Sequence, residues 1–276
     1  MLLPRRELTK LYLDASPHLS RASQPLSQPP KIKPRQPRCH KQVAKRLLEF
    51  IPPILPGSVI HDNACGTGPM TEAIMGTGVK DITIFATDMV PQVTEQLAKT
   101  SAEKGWLVKA EVMPSEALAF PDGTFAHSIT NLGIMVMEGA SVAAKHIRRT
   151  IKDGDLTVLS IWDKPLPVQV VSAAHPGGFN DKNLRAVLES AGFKPETIKL
   201  ERKYAVLEVK DLCLWASAVW SFLGYPATGW TAEDEEKWDG VIGTMVDWLE
   251  NYEGYKKLDS GVVAFTMPAY VAITNK

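Results

Sequence analysis

Two spacings of apolar residues alternate along this chain, one helical and one extended. Between Lys41 and Ile51 the apolar residues Val43, Leu47, Leu48 and Ile51 form one stripe, which predicts an amphipathic helix stopped by Pro52-Pro53. The β-branched start of Ser58 to Asn63 predicts a strand that runs through glycines into a helix over 70–75. The alternation then repeats as a strand over 82–88, a helix over 90–105 closed by Gly105, and a strand over 106–113. Apolar runs over 128–136 and 156–162 predict buried strands flanking an Ala-, Lys- and Arg-rich helix over 140–151. A capped helix over 180–193 and a strand region over 196–209 follow. Strands separated by helices imply a parallel sheet. The final segment, 261–276, is strand-like but carries Pro268, which suits a sheet edge or a bulged pair.

Two helical stretches within about 211–256 hold five of the seven tryptophans, Trp215, Trp220, Trp230, Trp238 and Trp248, and are expected to form a lid insert. Residues 1–40 differ from everything after them. They carry eight Lys/Arg against Glu7 and Asp14, whereas the rest has 23 basic and 29 acidic residues, a net charge of −6. Rich in Pro, Ser and Gln between Ser20 and Pro37, this basic arm is expected to be poorly ordered. Its Arg- and Ser-rich composition also fits a mitochondrial targeting segment.

The whole chain balances 31 basic with 31 acidic residues, so no general field draws it to nucleic acid or an anionic membrane. No apolar run has the roughly 20 residues of a transmembrane helix. Cys39, Cys65 and Cys213 form no metal or redox pair, which suggests a reducing, cytoplasmic setting. No metal is expected.

The chemistry concentrates in the turn His61-Asp62-Asn63-Ala64-Cys65-Gly66-Thr67-Gly68. A strand that ends in glycines and starts a helix brings backbone close to a ligand at the carboxyl edge of a sheet. The dinucleotide pattern G-x-G-x-x-G fails here, because Ala64 and Pro69 fill its first and third positions. The phosphate-loop pattern fails too, since Gly68 is followed by Pro69-Met70 rather than Lys-Ser/Thr.

Asp62-x-Ala64-x-Gly66-x-Gly68 resembles the first motif of class I S-adenosylmethionine-dependent methyltransferases, with Ala64 in place of the first glycine. Twenty residues beyond Gly68, Asp88 ends the second strand, and Met89 follows it. The stretch Ser115 to Phe125, SEALAFPDGTF, is similar to a third family string, although Pro114 and Ala126 replace aspartates common there. Asn131-Leu132-Gly133 ends the fourth strand. The Asp-Asn-Ala-Cys-Gly-Thr-Gly string is most similar to the ubiquinone-type group that includes fungal natural-product methyltransferases.

That resemblance implies a Rossmann-like α/β fold with a seven-stranded, mostly parallel sheet, helices on both faces, an antiparallel last strand and a helical lid insert. It covers roughly residues 41 to 209 and the final strand; with the composition of the arm, the expected domains are 1–40 for the arm and 41–276 for the methyltransferase domain with its Trp-rich insert. It also implies S-adenosylmethionine as cofactor, with Asp62 accepting from the ammonium, Asp88 from the ribose hydroxyls, and Met89 against adenine. Asn63, Ala64, Gly66, Gly68, Met113, Ser115, Glu116, Asn131 and Leu132 complete the expected cofactor contacts. The expected partner is a small, moderately apolar acceptor methylated on oxygen, with no nucleic acid or membrane and with the chain a monomer or homodimer.

Alignment of a nucleophile with a sulfonium methyl and exclusion of water supply most of the rate, roughly 7–11 kcal/mol. Trp162, Trp215 and Trp220 are the expected substrate-side residues. For a general base, His175 in the loop Ala173 to Gly178 is the expected residue, while His61, His127 and His146 suit core or surface roles. Two other readings stay open. One is a natural-product cyclase or binding protein using a methyltransferase pocket. The other is an NADPH-dependent reductase, for which only Tyr252-x-x-x-Lys256 speaks.

Overall fold

The computed structural model describes residues 38–163, 180–223 and 232–276. His175, Trp230 and the arm up to residue 37 lie outside the described residues. Two compact units are present, one holding described residues 38–163, 180–205 and 267–276, the other 206–223 and 232–266.

The larger unit opens with helix α1 (Arg38–Leu47), continued by a 3-10 turn at Leu48–Phe50. Cys39, Val43 and Leu47, spaced at four, are all buried, so the apolar stripe starts one turn earlier than expected. Strand β1 (Val59–Asn63) then leads through the glycine turn into α2 (Pro69–Met75). Strand β2 (Thr83–Asp88), α3 (Pro91–Glu103) and β3 (Val108–Val112) repeat the unit. Strand β4 (Phe125–Asn131), α4 (Ala140–Thr150), β5 (Ile151–Trp162) and α5 (Asp181–Ser190) follow. After them come β6 (Lys199–Val209), α6 (Leu212–Leu223), α7 (Ala232–Glu250), β7 (Tyr255–Lys257) and β8 (Val263–Asn275).

The sheet runs in the order β3-β2-β1-β4-β5-β8-β6, with β7 paired to β8. Strands β1 with β2 and β4, β2 with β3, and β4 with β5 pair in parallel, and β8 lies antiparallel to β5. The fold is therefore the expected Rossmann-like α/β sheet with helices around it, but it has eight strands rather than seven. The extra strand, β7, has only three residues, and Tyr-Lys-Lys carries no alternating apolar pattern that would reveal it. Pro268 stands in an inner strand rather than at an edge. It falls between two registers of β8, Val263–Phe265 with β7 and Ala269–Asn275 with β5, where its missing N–H breaks no ladder bond within either register.

Strand β4 also differs from expectation. It starts at Phe125 and stops at Asn131, because Leu132 takes a left-handed φ of 64° and residues Ile134–Val136 wind into a 3-10 turn. Val136, which extended the apolar run, is 70% exposed there, whereas Ile134 is buried without belonging to a strand. Its cluster joins Leu118, Ala143, Ile147, Leu159, Leu184, Leu188 and Phe193. The rings of His61, Phe85, Phe120 and Phe125 make a second packed group, with His61 stacked on Phe125 at 4.7 Å between centroids.

In the smaller unit, α6, α7 and the β7–β8 hairpin enclose Phe265, which is fully buried. Trp215 stacks on it at 6.2 Å, and Tyr252 and Tyr255 pack at its other sides.

Candidate active site

In an open sheet of this order the chain winds outward in both directions from β1 and β4, and ligands bind at the carboxyl ends of those strands. The glycine turn stands there. Ala64, Gly66 and Gly68 all have left-handed φ, at 51°, 54° and 88°, so the backbone reverses tightly before α2. At Gly68 a side chain would also collide with Leu97. Ala64 thus departs from the family pattern at a greater cost than reduced backbone approach, because a Cβ in the left-handed region is strained by about 1 kcal/mol or more. Gly133 accommodates it: a Cβ on Gly133 would lie 2.8 Å from that of Ala64.

Asp62 is 1% exposed. Its Oδ2 accepts from the Thr71 backbone N–H at 2.9 Å and the Thr71 hydroxyl at 2.6 Å, which ties β1 to the first turn of α2. Its Oδ1 has no hydrogen-bond partner among the described residues. Burial pushes the Asp62 carboxyl up to about 7, opposed by the two Thr71 hydrogen bonds and reinforced by the charge of Asp88. A cation delivered to Oδ1 would reverse that shift.

Asp88 reaches back to the turn. Its Oδ2 accepts from the Gly66 N–H at 2.9 Å, and Oδ1 accepts from Val90 N–H at 3.0 Å, ahead of α3. Each carboxylate oxygen retains a second lone pair. Met89 beside it is 71% exposed and leaves a thioether surface for a flat ring.

A buried polar chain links the neighbouring strands. The Ser115 hydroxyl donates to Asn63 Oδ1 at 2.8 Å, and Asn63 Nδ2 donates to the Thr130 hydroxyl at 3.0 Å. Met113 N–H donates to the Asp88 carbonyl at 2.9 Å, fixing β3 against the end of β2. Glu116 instead accepts from the Gly139 N–H at 3.2 Å, which commits one of its oxygens to the start of α4. Leu132 donates its N–H to both the carbonyl and the hydroxyl of Ser160.

Asn131 connects to an element that the sequence placed in the basic arm. Its Nδ2 donates to the His40 carbonyl at 3.2 Å, and its Oδ1 accepts from Ser160 at 3.1 Å. The His40 ring lies 6.0 Å from the ring of Trp162 at the end of β5. Desolvation of the imidazolium pulls its pKa down to about 4. The signal that placed it in the fold was Cys39, which extends the stripe of Val43 and Leu47 by one turn.

Of the expected substrate side, Trp162 is at this edge. Trp215 and Trp220 belong to the smaller unit, where Trp215 is 8% exposed and packed on Phe265. His61 is fully buried between Ser128 and Thr87, with its pKa held near 3 by burial. His146 lies on α4 beside Arg149. Tyr252 follows α7 and Lys256 sits in β7, so their spacing of four does not set them on one helical face.

Residues 60–154 match a family described as "Methyltransferase domain", a span covering the glycine turn, Asp88, Ser115 and Asn131. The fold is similar to that of a methyltransferase from Bacillus halodurans, at 14% identity with a TM-score of 0.60, over 85% of this chain and 99% of that one. It is also similar to the 4+2 cyclase SpnF, at 15% identity and a TM-score of 0.53, over 85% and 81% of the two chains. A third likeness is to phosphoethanolamine N-methyltransferase 2 of Haemonchus contortus in complex with phosphomonomethylethanolamine and S-adenosylhomocysteine. Its identity is 12% and its TM-score 0.53, over 84% of this chain and 52% of that one. The uncommitted Oδ1 of Asp62, the Asp88 carboxylate held between Gly66 and Val90, and the exposed Met89 fit an amino-acid nucleoside. Over residues 60–154 the chain is thus similar to methyltransferase domains, on a sheet with the fold of solved methyltransferases.

Proposed function

We propose that this chain transfers the methyl group of S-adenosylmethionine to an oxygen of a small, moderately apolar, natural-product-like acceptor. The observation that carries the reading is the matched domain falling on an edge where Asp62, Asp88 and the glycine turn converge. When bound, S-adenosylmethionine supplies an electrophilic methyl that needs no acid activation. Asp62 takes the ammonium and so becomes fully ionised, Asp88 accepts the ribose hydroxyls, and Met89 covers the base. Asn63, Ala64, Gly66 and Gly68 line the ligand, with Met113 and Ser115 on the adenine side and Asn131 and Leu132 on the methionine side. Glu116 stands beside Ser115 and braces α4.

The chain's own work is alignment. Leu132, held by two Ser160 hydrogen bonds, and Gly133, pressed against Ala64, fix the β4 end relative to the turn. Such fixed geometry is the main source of rate for a displacement at an already activated methyl. His175 remains a proposed base, and Trp162, Trp215 and Trp220 proposed acceptor contacts, with the chain a cytoplasmic monomer or homodimer that uses no metal. Charge balance supports an uncharged acceptor over nucleic acid.

Methyl-labelled S-adenosylmethionine incubated with phenols, enols and carboxylic acids tests the reading. Label is expected in an O-methyl product. Tight S-adenosylmethionine binding with turnover of an unlabelled, rearranged product would instead support a cyclase of the kind that SpnF names.

A further inference from the structure

We propose that His40, paired with Trp162 and anchored through Asn131, is the acceptor-side residue that receives the proton of a protic methyl acceptor, in place of the His175 expected from the sequence. This rests on the reading of the β1–β2 edge as the cofactor site.

Four observations converge. Helix α1 packs against β4 and β5, and His40 in its first turn meets their end residues Asn131 and Trp162. The His40 main chain is fixed there by the Asn131 amide at 3.2 Å, and Asn131 is itself held by Ser160. The ring faces the Trp162 indole at 6.0 Å and an interplanar angle of 34°, an arrangement that leaves an aromatic wall rather than a closed stack. The imidazole makes no hydrogen bond to another described residue. His127, in contrast, sits in the middle of the fold at the start of β4, and His61 has both ring nitrogens engaged.

A partly buried imidazole that is neutral at pH 7 can accept a hydrogen bond from an O–H or N–H group. Neutrality has a second consequence. A cationic ring beside a sulfonium would weaken cofactor binding by like-charge repulsion, whereas a neutral one does not. During transfer the acceptor oxygen forms its bond to the methyl carbon, and the sulfur–methyl bond breaks with its electron pair left on sulfur. The acceptor proton moves to the imidazole. Positive charge is thereby moved from sulfur to the ring instead of being added to the site, and the proton then leaves to solvent. Trp162 gives the acceptor an apolar face against which to lie.

The test uses the full chain with histidines labelled at Cε1 and saturated with S-adenosylhomocysteine, and reads the histidine signals by NMR. His40→Gln assigns the His40 signal by its disappearance, and calorimetry on the same samples records S-adenosylhomocysteine binding. Phenol is expected to shift the His40 signal, and anisole, which has the same ring and no donor, to leave it in place. His127 and His146 are expected to respond to neither. If the ligand binds yet phenol leaves His40 unmoved, or phenol and anisole shift it equally, the proposal is overturned and the cofactor reading stands. If S-adenosylhomocysteine does not bind, the cofactor reading fails instead.

Discussion

At the ends of β1 and β2 the backbone does the positioning, while at the ends of β4 and β5 side chains do. The first region has three left-handed residues in five, each needed to turn the chain, and one carboxylate, Asp88, clamping the turn through the Gly66 N–H. The second relies on Asn131, Ser160, His40 and Trp162, joined across α1, β4 and β5 by side-chain contacts. A turn that requires glycine leaves a mark in sequence, because few residues tolerate positive φ. A hydrogen bond between residues 40 and 131 leaves none.

The contrast is sharpest in the effect of pH. Asp62 has its pKa raised from 3.8 to about 7, so the folded protein holds that proton at pH values where the unfolded chain has lost it. The stability it contributes is present at low pH and is lost as pH rises from about 4 to about 7. Comparison of wild type with Asp62→Asn by denaturant unfolding is therefore expected to show a difference that shrinks or reverses over that range, by about 4 kcal/mol at most. His40 behaves oppositely, since its pKa falls from 6.5 to about 4. The unfolded chain binds a proton there that the folded protein does not, so wild type minus His40→Gln is expected to rise by about 2–3 kcal/mol between pH 4 and 6.5. Two slopes of the same sign would break the comparison.

Next in size is Asp88. Replacement by Ala removes the bonds to Gly66 and Val90 and the proposed ribose contacts, and is expected to weaken S-adenosylhomocysteine about a hundredfold, or about 2.7 kcal/mol by calorimetry. An affinity within threefold of wild type would show that the turn does not hold the nucleoside.

Gly133→Ala crowds the Cβ of Ala64 and is expected to cost about 2 kcal/mol in unfolding experiments. Ala64→Gly removes the other partner of that contact. The double variant is expected to recover about half of the loss, and strict additivity in the cycle would refute the contact.

The smallest effect belongs to the β4 edge. Asn131→Ala is expected to lower stability by about 1 kcal/mol through the lost bond to the His40 carbonyl and to weaken S-adenosylhomocysteine about threefold through the lost methionine-side contact. An unchanged affinity would leave Asn131 to acceptor positioning alone.

Much of the fold was legible because its periods are long and its turns demand particular residues. Asp62, Gly66, Gly68 and Asp88 were marked by the resemblance to methyltransferase motifs, and the structure ties Asp62 to Thr71 and Asp88 to Gly66. Strand β4 ends earlier than its apolar run, because Ile134 packs into the core and Val136 faces outward after the backbone has turned. Strand β7 is too short for any period. Glu116 is at the expected place, but its bond to Gly139 depends on where α4 begins. His40 was hidden by composition: Arg38 to His40 follow a Pro- and Ser-rich tract, and only the burial of Cys39 shows that the helix has begun.

The central claim is that the β1–β2 edge binds S-adenosylmethionine. Calorimetric titration of the full chain with S-adenosylmethionine, S-adenosylhomocysteine and NADPH tests it most directly. One-to-one binding of the two adenosyl ligands, without NADPH binding, is the predicted result. Saturable binding of NADPH alone would contradict it.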